Sequence, residues 1–89
     1  MQKHAKPAPD VEDVAPKGTE ITAYDQAHFV TYLRLLDAMA EGAVWEDVAR
    51  IVLRRDPVVE PERARSCWES HLARASWLSR NGYQHMLRQ

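Results

Sequence analysis

The nitrogen and sulfur side chains that most often hold a transition metal or pair as nucleophile and base are His4, His28, His71, His85 and Cys67. A zinc site needs several such ligands at short, regular spacings, and these residues share none. Cys67 and His71 fall at and on the inner stripe of a helix described below. That placement suits a small core thiol and a hydrogen-bonded, partly buried imidazole better than a nucleophile and its base. Glu46–Asp47 and Glu60–Glu62 are acids at helix starts, where the helix dipole favours them. There is no Gly-rich phosphate loop and no dinucleotide fingerprint. These residues therefore point to no enzyme, no metal and no cofactor.

Phosphate contact is the other chemistry on offer. The stretch "LRRDPVVEPERARSCW", residues 53–68, has the look of a joint in a helix-turn-helix unit. Arg54, Arg55, Arg63, Arg65 and, one helical run later, Arg74 are of the type that meets phosphates. Asp56, Glu60 and Glu62 are threaded through the same stretch.

Three helices must position these groups. Thr22 followed by Asp25 resembles a capping box, so a first helix starts there and runs to Gly42, which suits a left-handed C′ position. Phe29, Tyr32, Leu33, Leu36, Met39 and Ala40 form its apolar stripe. "VWEDVARIVL" makes a second helix, with Trp45, Val48, Ala49 and Val52 on one face and Ile51 and Leu53 flanking it. Asp56 and Glu60 each precede a proline and favour extended backbone, so this helix stops near Arg54 or Arg55. Pro61 opens a third helix that runs to about Arg80, with Ala64, Trp68, His71, Leu72, Ala75 and Leu78 inward. A last helical turn docks Tyr83, Met86 and Leu87. No strand pattern appears. The expected fold is all-α: a three-helix helix-turn-helix variant with an extended turn of about six residues, against three or four in the usual motif. A generic three-helix bundle has the same periodicity. The domain spans residues 21–89. Residues 1–20, rich in proline and mixed charge, read as a disordered or loosely held tail.

Net charge is −1, and residues 21–89 carry nine charges of each sign. A domain that grips duplex DNA is usually basic, because phosphate neutralisation drives binding. Neutrality argues against strong nucleic-acid binding. The single Cys67 can make no internal disulfide, which suits a reduced, cytoplasmic setting. No apolar run reaches membrane-span length.

The outward face of the third helix is the place to read DNA. At 100° per residue, Glu62, Ser66, Glu69, Ser70, Ala73 and Trp77 cluster there, bordered on one side by Arg63 and Arg74, with Arg65 nearer the core face. The centre is small and acidic, which makes it a vestigial reading face. Ser66, Ser70, Ala73 and Trp77, at spacings of four, three and four, form a shallow strip suited to protein docking. Alternatively, Trp77 folds against the tail or the last turn.

The segments "YDQAHFVTYLRLLDA", "WEDVARIVL", "EPERARSCWESHLARASWL" and "NGY" resemble, in order and spacing, the QseM-type antiactivators of integrative and conjugative elements. The resemblance covers residues 22–88. It implies an extended-turn helix-turn-helix domain that binds the N-terminal domain of a transcriptional activator and blocks expression of excision and transfer genes. It also implies a partner met away from the former DNA face, on the first helix and the C-terminal region. Tyr24, Asp25, His28, Tyr32 and Leu35 are the candidates there, with Trp77 from the docking strip. On this reading the partner is the activator, the free protein is a monomer, and neither membrane nor strong DNA contact is involved. A DNA-binding helix-turn-helix regulator is the rival.

Overall fold

A capping box starts the helical part. In a computed structural model describing residues 9–82, the Asp25 N–H donates to Thr22 Oγ1 (3.1 Å) and the Thr22 N–H donates to the Asp25 carboxylate (2.9 Å). The helix that follows is divided. α1 spans Ala23–Ala27 and α2 spans Phe29–Ala40, with His28 between them at φ −110°, ψ 24°. The ring nitrogens of His28 lie 2.9 Å from the Tyr24 carbonyl and 3.0 Å from the Asp10 carbonyl, so the nitrogen that carries the proton donates to the carbonyl it faces and ties down the break point. Gly42 ends α2 at φ 75°, with Ala43 N–H on Ala38 O and Gly42 N–H on Met39 O. This is the Schellman arrangement, and glycine is the residue that adopts it without steric cost.

α3 spans Trp45–Ile51 and buries Val48 and Ala49. It stops earlier than expected, so nine residues (52–60) join it to α4, Pro61–Trp77. No glycine is available for the bend, and Arg54 takes the left-handed conformation itself, at φ 61°. Arg55 N–H closes the end on Ala49 O at 2.9 Å. Leu53 and Pro57 plug the turn inward, and the Asp56 carboxylate accepts the N–H groups of Val58 and Val59. α4 then runs for 17 residues from Pro61 at its first turn and widens into a π-helical turn, Leu78–Gly82. Among the described residues there is no strand, and the architecture is all-α and helix-turn-helix-like.

The core gathers Val11, Tyr32, Leu35, Val48, Leu53, Cys67, Ala75 and Leu78. The buried side of α2 is turned from the predicted stripe: Thr31, Tyr32 and Leu35 are buried, while Met39 is 54% exposed. Leu35 shares its cluster with Val11 and Leu53, cover that comes from segments far away in sequence. Ile51, expected to flank the buried face of α3, is 71% exposed.

The largest departure is at the N-terminus. Residues 9–20, expected as a loose tail, lie as a strap against α4 and the turn. Val11 and Ala15 are buried. The strap has no regular structure, and helix side chains satisfy its backbone instead. Arg55 donates to Val11 O (2.7 Å), and Arg74 donates to Gly18 O and Glu20 O (2.7 Å each). The Ala15 N–H donates to Ser70 Oγ (3.0 Å) and the Glu12 N–H to Tyr24 Oη (2.9 Å). Residues 1–8 and the predicted last turn with Tyr83, Met86 and Leu87 lie outside the described residues.

Candidate nucleic-acid interface

α4 is covered on three sides. Its core side buries Ala64, Cys67, His71, Arg74 and Ala75. The strap runs along one flank, and Trp45 of α3 meets Trp68 on the other at 5.9 Å between ring centroids. The fourth side faces outward and carries Glu62, Ser66, Glu69 and Ala73, all exposed. α4 is thus long, supported along its back and uncovered along its front.

Its rims are cationic, and the rim arginines on α4 itself, Arg63 and Arg65, are paired. On the strap side the Arg63 guanidinium donates to Asp13 Oδ1 (2.7 Å) and to Glu60 Oε1 (2.9 Å). Arg55, at the turn, also reaches Asp13 Oδ1, at 3.2 Å. The two guanidinium groups, Arg63 foremost, hold the Asp13 carboxyl below its ordinary range. On the α3 side, Arg65 lies over the rings of Trp45 (5.0 Å) and Trp68 (5.2 Å) and donates to Glu69 (2.8 Å). Arg54 projects from the turn and forms no ion pair with a described residue. No unbroken positive ridge follows α4, because Glu62 and Glu69 interrupt it.

Beneath the face lies a polar scaffold. Arg74 and Asp25 form a buried pair, with Arg74 Nη2 at 2.7 Å from Asp25 Oδ2 and Nε at 3.1 Å from Oδ1. Tyr32 Oη donates to the same carboxylate at 2.8 Å. Burial alone would raise the Asp25 pKa, but Arg74, the Thr22 N–H and Tyr32 together pull it below the ordinary value. Beside it, His71 Nδ1–H donates to Cys67 O (2.8 Å), which leaves Nε2 to accept the Tyr24 hydroxyl at 2.6 Å. Burial lowers the His71 pKa and raises that of the Cys67 thiol. A protonated, buried thiol is a poor nucleophile, and its 3.7 Å approach to His71 is not an activated pair. Among the described residues, no three potential ligands converge on a metal ion, and no helix is long and apolar enough to cross a membrane.

The predicted reading-face residues Glu62, Arg63, Ser66, Glu69 and Ala73 are exposed together on α4. Ser70 is not available there: it is tucked under the strap, accepting from Ala15 N–H and donating to Cys67 O. The candidates on the first helix fare differently. Asp25, His28, Tyr32 and Leu35 are buried, and Tyr24 is partly covered, all engaged within the fold. The four buried residues build the scaffold and present no surface, while Tyr24 keeps part of its side chain accessible. Trp77 is partly covered, with the Arg74 guanidinium 4.4 Å from its ring centroid. Arg74, expected beside the reading face, is turned into the core. Asp13 was missed altogether, since its partners lie 42 and 50 residues away and leave no local signal.

No curated protein matches the chain. Residues 3–88 match the family RovC_DNA-bd, described as the DNA-binding domain of a T6SS transcription factor. That match overturns the expectation, drawn from neutral net charge, of no strong nucleic-acid binding. Total charge misleads because phosphates meet the local potential at a surface, which a sum over the chain does not contain. The chain belongs to this family of transcription-factor DNA-binding domains, which is not an enzyme family.

Proposed function

We propose that the domain binds duplex DNA through the outward side of α4 and the turn before it, as the reading part of a transcriptional regulator. The carrying observation is a 17-residue helix, backed along its length and open at its front, with Arg63 and Arg65 along its edges and Arg54 exposed in the turn before it. The arginines serve as phosphate contacts on either side of a groove. The central carboxylates then face base edges, where Glu accepts a hydrogen bond from the cytosine amino group. Acids at that position repel phosphates at non-specific sites and reward a matching base, which favours specificity over raw affinity. The test is fluorescence anisotropy with promoter duplexes at varied salt. Arg63→Ala and Arg65→Ala should each weaken binding and reduce the salt slope by about one. No binding at low salt would remove the proposal.

A second reading, an antiactivator docking on the N-terminal domain of an activator, has one specific support. A groove of about 430 Å³ lies between α2 and the end of α3, lined by Ala27, Val30, Ile51 and Val52 with Arg34 and Arg54. It involves no residue of α4 and shares only Arg54 with the proposed DNA surface, so most of a protein partner's footprint there would lie off the α4 face. NMR shift mapping with the activator's isolated N-terminal domain tests this, and absence of binding at tens of micromolar counts against it.

A further inference from the structure

The reading side of α4 is not simply open at its strap edge, for an acid of this same chain sits there. Asp13 Oδ1 is held by Arg63 Nε at 2.7 Å and by Arg55 at 3.2 Å. The two guanidinium groups come from different elements, one from the first turn of α4 and one from the α3–α4 turn. They converge on a single oxygen at the boundary of the exposed face. Arg55 is held in place by Val11 O (2.7 Å) and is mostly covered, so its guanidinium is oriented before any ligand arrives. Arg63 is half exposed, as is Asp13 itself. The strap adds Asp10 and Glu12, both exposed, along the same flank. Around them is an open hollow lined by Asp10, Glu12, Asp13, Arg54, Arg55 and Arg63.

Two convergent guanidinium groups around one anionic oxygen match the way proteins take a phosphodiester. We propose that Arg55 and Arg63 form a backbone-phosphate site that the strap's Asp13 fills in the free protein, so that DNA must exchange a phosphate for this carboxylate. The inference rests on the DNA-reading function of α4. The bond count is conserved in the exchange, because the phosphate oxygen takes the donors that Asp13 gives up. The cost is release of Asp13 toward water, which is small for a half-exposed group. The consequence is that the strap lowers non-specific affinity: a phosphate must compete with a tethered anion, and Asp10 and Glu12 repel it on approach.

The experiment uses the full chain and a random-sequence duplex of about 20 base pairs, since phosphate contacts carry no sequence information. Wild type, Asp13→Asn, Arg63→Ala and the double variant are compared by anisotropy across salt concentrations. Asp13→Asn should bind about three- to tenfold tighter at low salt. The gain should vanish in the Arg63→Ala background, because the carboxylate then guards a site that no longer exists. Titration of inorganic phosphate, followed through the Arg63 Nε–H NMR signal, gives a readout without DNA. That signal should respond at lower phosphate concentration in Asp13→Asn than in wild type, and this holds even if DNA is bound elsewhere. If wild type binds duplex while Asp13→Asn is unchanged or weaker, the phosphate site is refuted and the reading function stands. If neither binds DNA at low salt, the reading function itself fails.

Discussion

Replacing Arg74 with alanine removes a side chain that ties the strap to the helices. Its guanidinium makes four hydrogen bonds, two to Asp25 and one each to the carbonyls of Gly18 and Glu20. The side chains of Arg74 and Asp25 are 3% and 0% exposed. Alanine would leave the Asp25 carboxylate buried with only Tyr32 and the Thr22 N–H as donors. Breaking one partner of a buried pair costs about 3–5 kcal/mol. A chain of this size has roughly 4–13 kcal/mol of total stability, so the loss is a large share of it. In a small domain each 1 kcal/mol moves the melting point by roughly 4–8 °C, so Arg74→Ala should lower it by about 12 °C or more. Urea unfolding followed by Trp fluorescence measures the free energy, and hydrogen exchange at residues 18–20 reports release of the strap. The double variant Arg74→Met with Asp25→Asn should be more stable than Arg74→Ala alone, because no uncompensated charge remains inside. A loss below about 1 kcal/mol for Arg74→Ala would refute the claim that this pair clamps the strap to the helices. The pair also sets acid behaviour. Asp25 has a lowered folded pKa, so its contribution is full above the unfolded value and is lost as pH falls through the folded one.

Three further outcomes are expected. His71 has a lowered folded pKa, so unfolded chains take up a proton that folded chains refuse. Stability should be constant above the ordinary histidine value and fall as pH drops below it, levelling off only below the folded value, seen as a shift of the urea midpoint, with the His71 NMR signal titrating below its ordinary range. Arg54 holds a left-handed conformation, so Arg54→Gly should keep or slightly raise the melting point while Arg54→Val costs about 1–2 kcal/mol, and both should weaken DNA binding. Tyr24→Phe removes the hydroxyl that links the Glu12 N–H to His71, so it should destabilise by about 1–2 kcal/mol and speed exchange of the Glu12 amide more than that of the α2 amides.

Local signals were reliable wherever the physics is local. The Thr22–Asp25 cap, the left-handed Gly42 and the Pro61 start of α4 each depend on residues within one turn, and each stands where its pattern puts it. The outward side of α4 was legible in part: 100° per residue brings Glu62, Ser66, Glu69 and Ala73 together, but it does not tell that the strap covers Ser70 or that Arg74 turns inward. The strap was not legible. Its Val11 and Ala15 show one helix-like spacing of four, yet the segment is ordered by Arg55, Ser70 and Arg74, whose sequence distances exceed forty residues. Composition marks such a segment as unable to bury enough of its own surface, and it does not need to, since the helices supply both cover and donors.

The amino-acid sequence alone determined that this protein is a small all-α domain with an extended turn before a long, acid-centred helix. Helical periodicity and proline stereochemistry act over a few residues and need no partner. Only the tertiary structure decided what the charges do. It turned Arg74 inward against Asp25, set Asp13 between Arg55 and Arg63, and took Asp25, His28, Tyr32 and Leu35 out of any surface role. Coulomb interactions and burial depend on distance in space, and no count along the chain contains that distance.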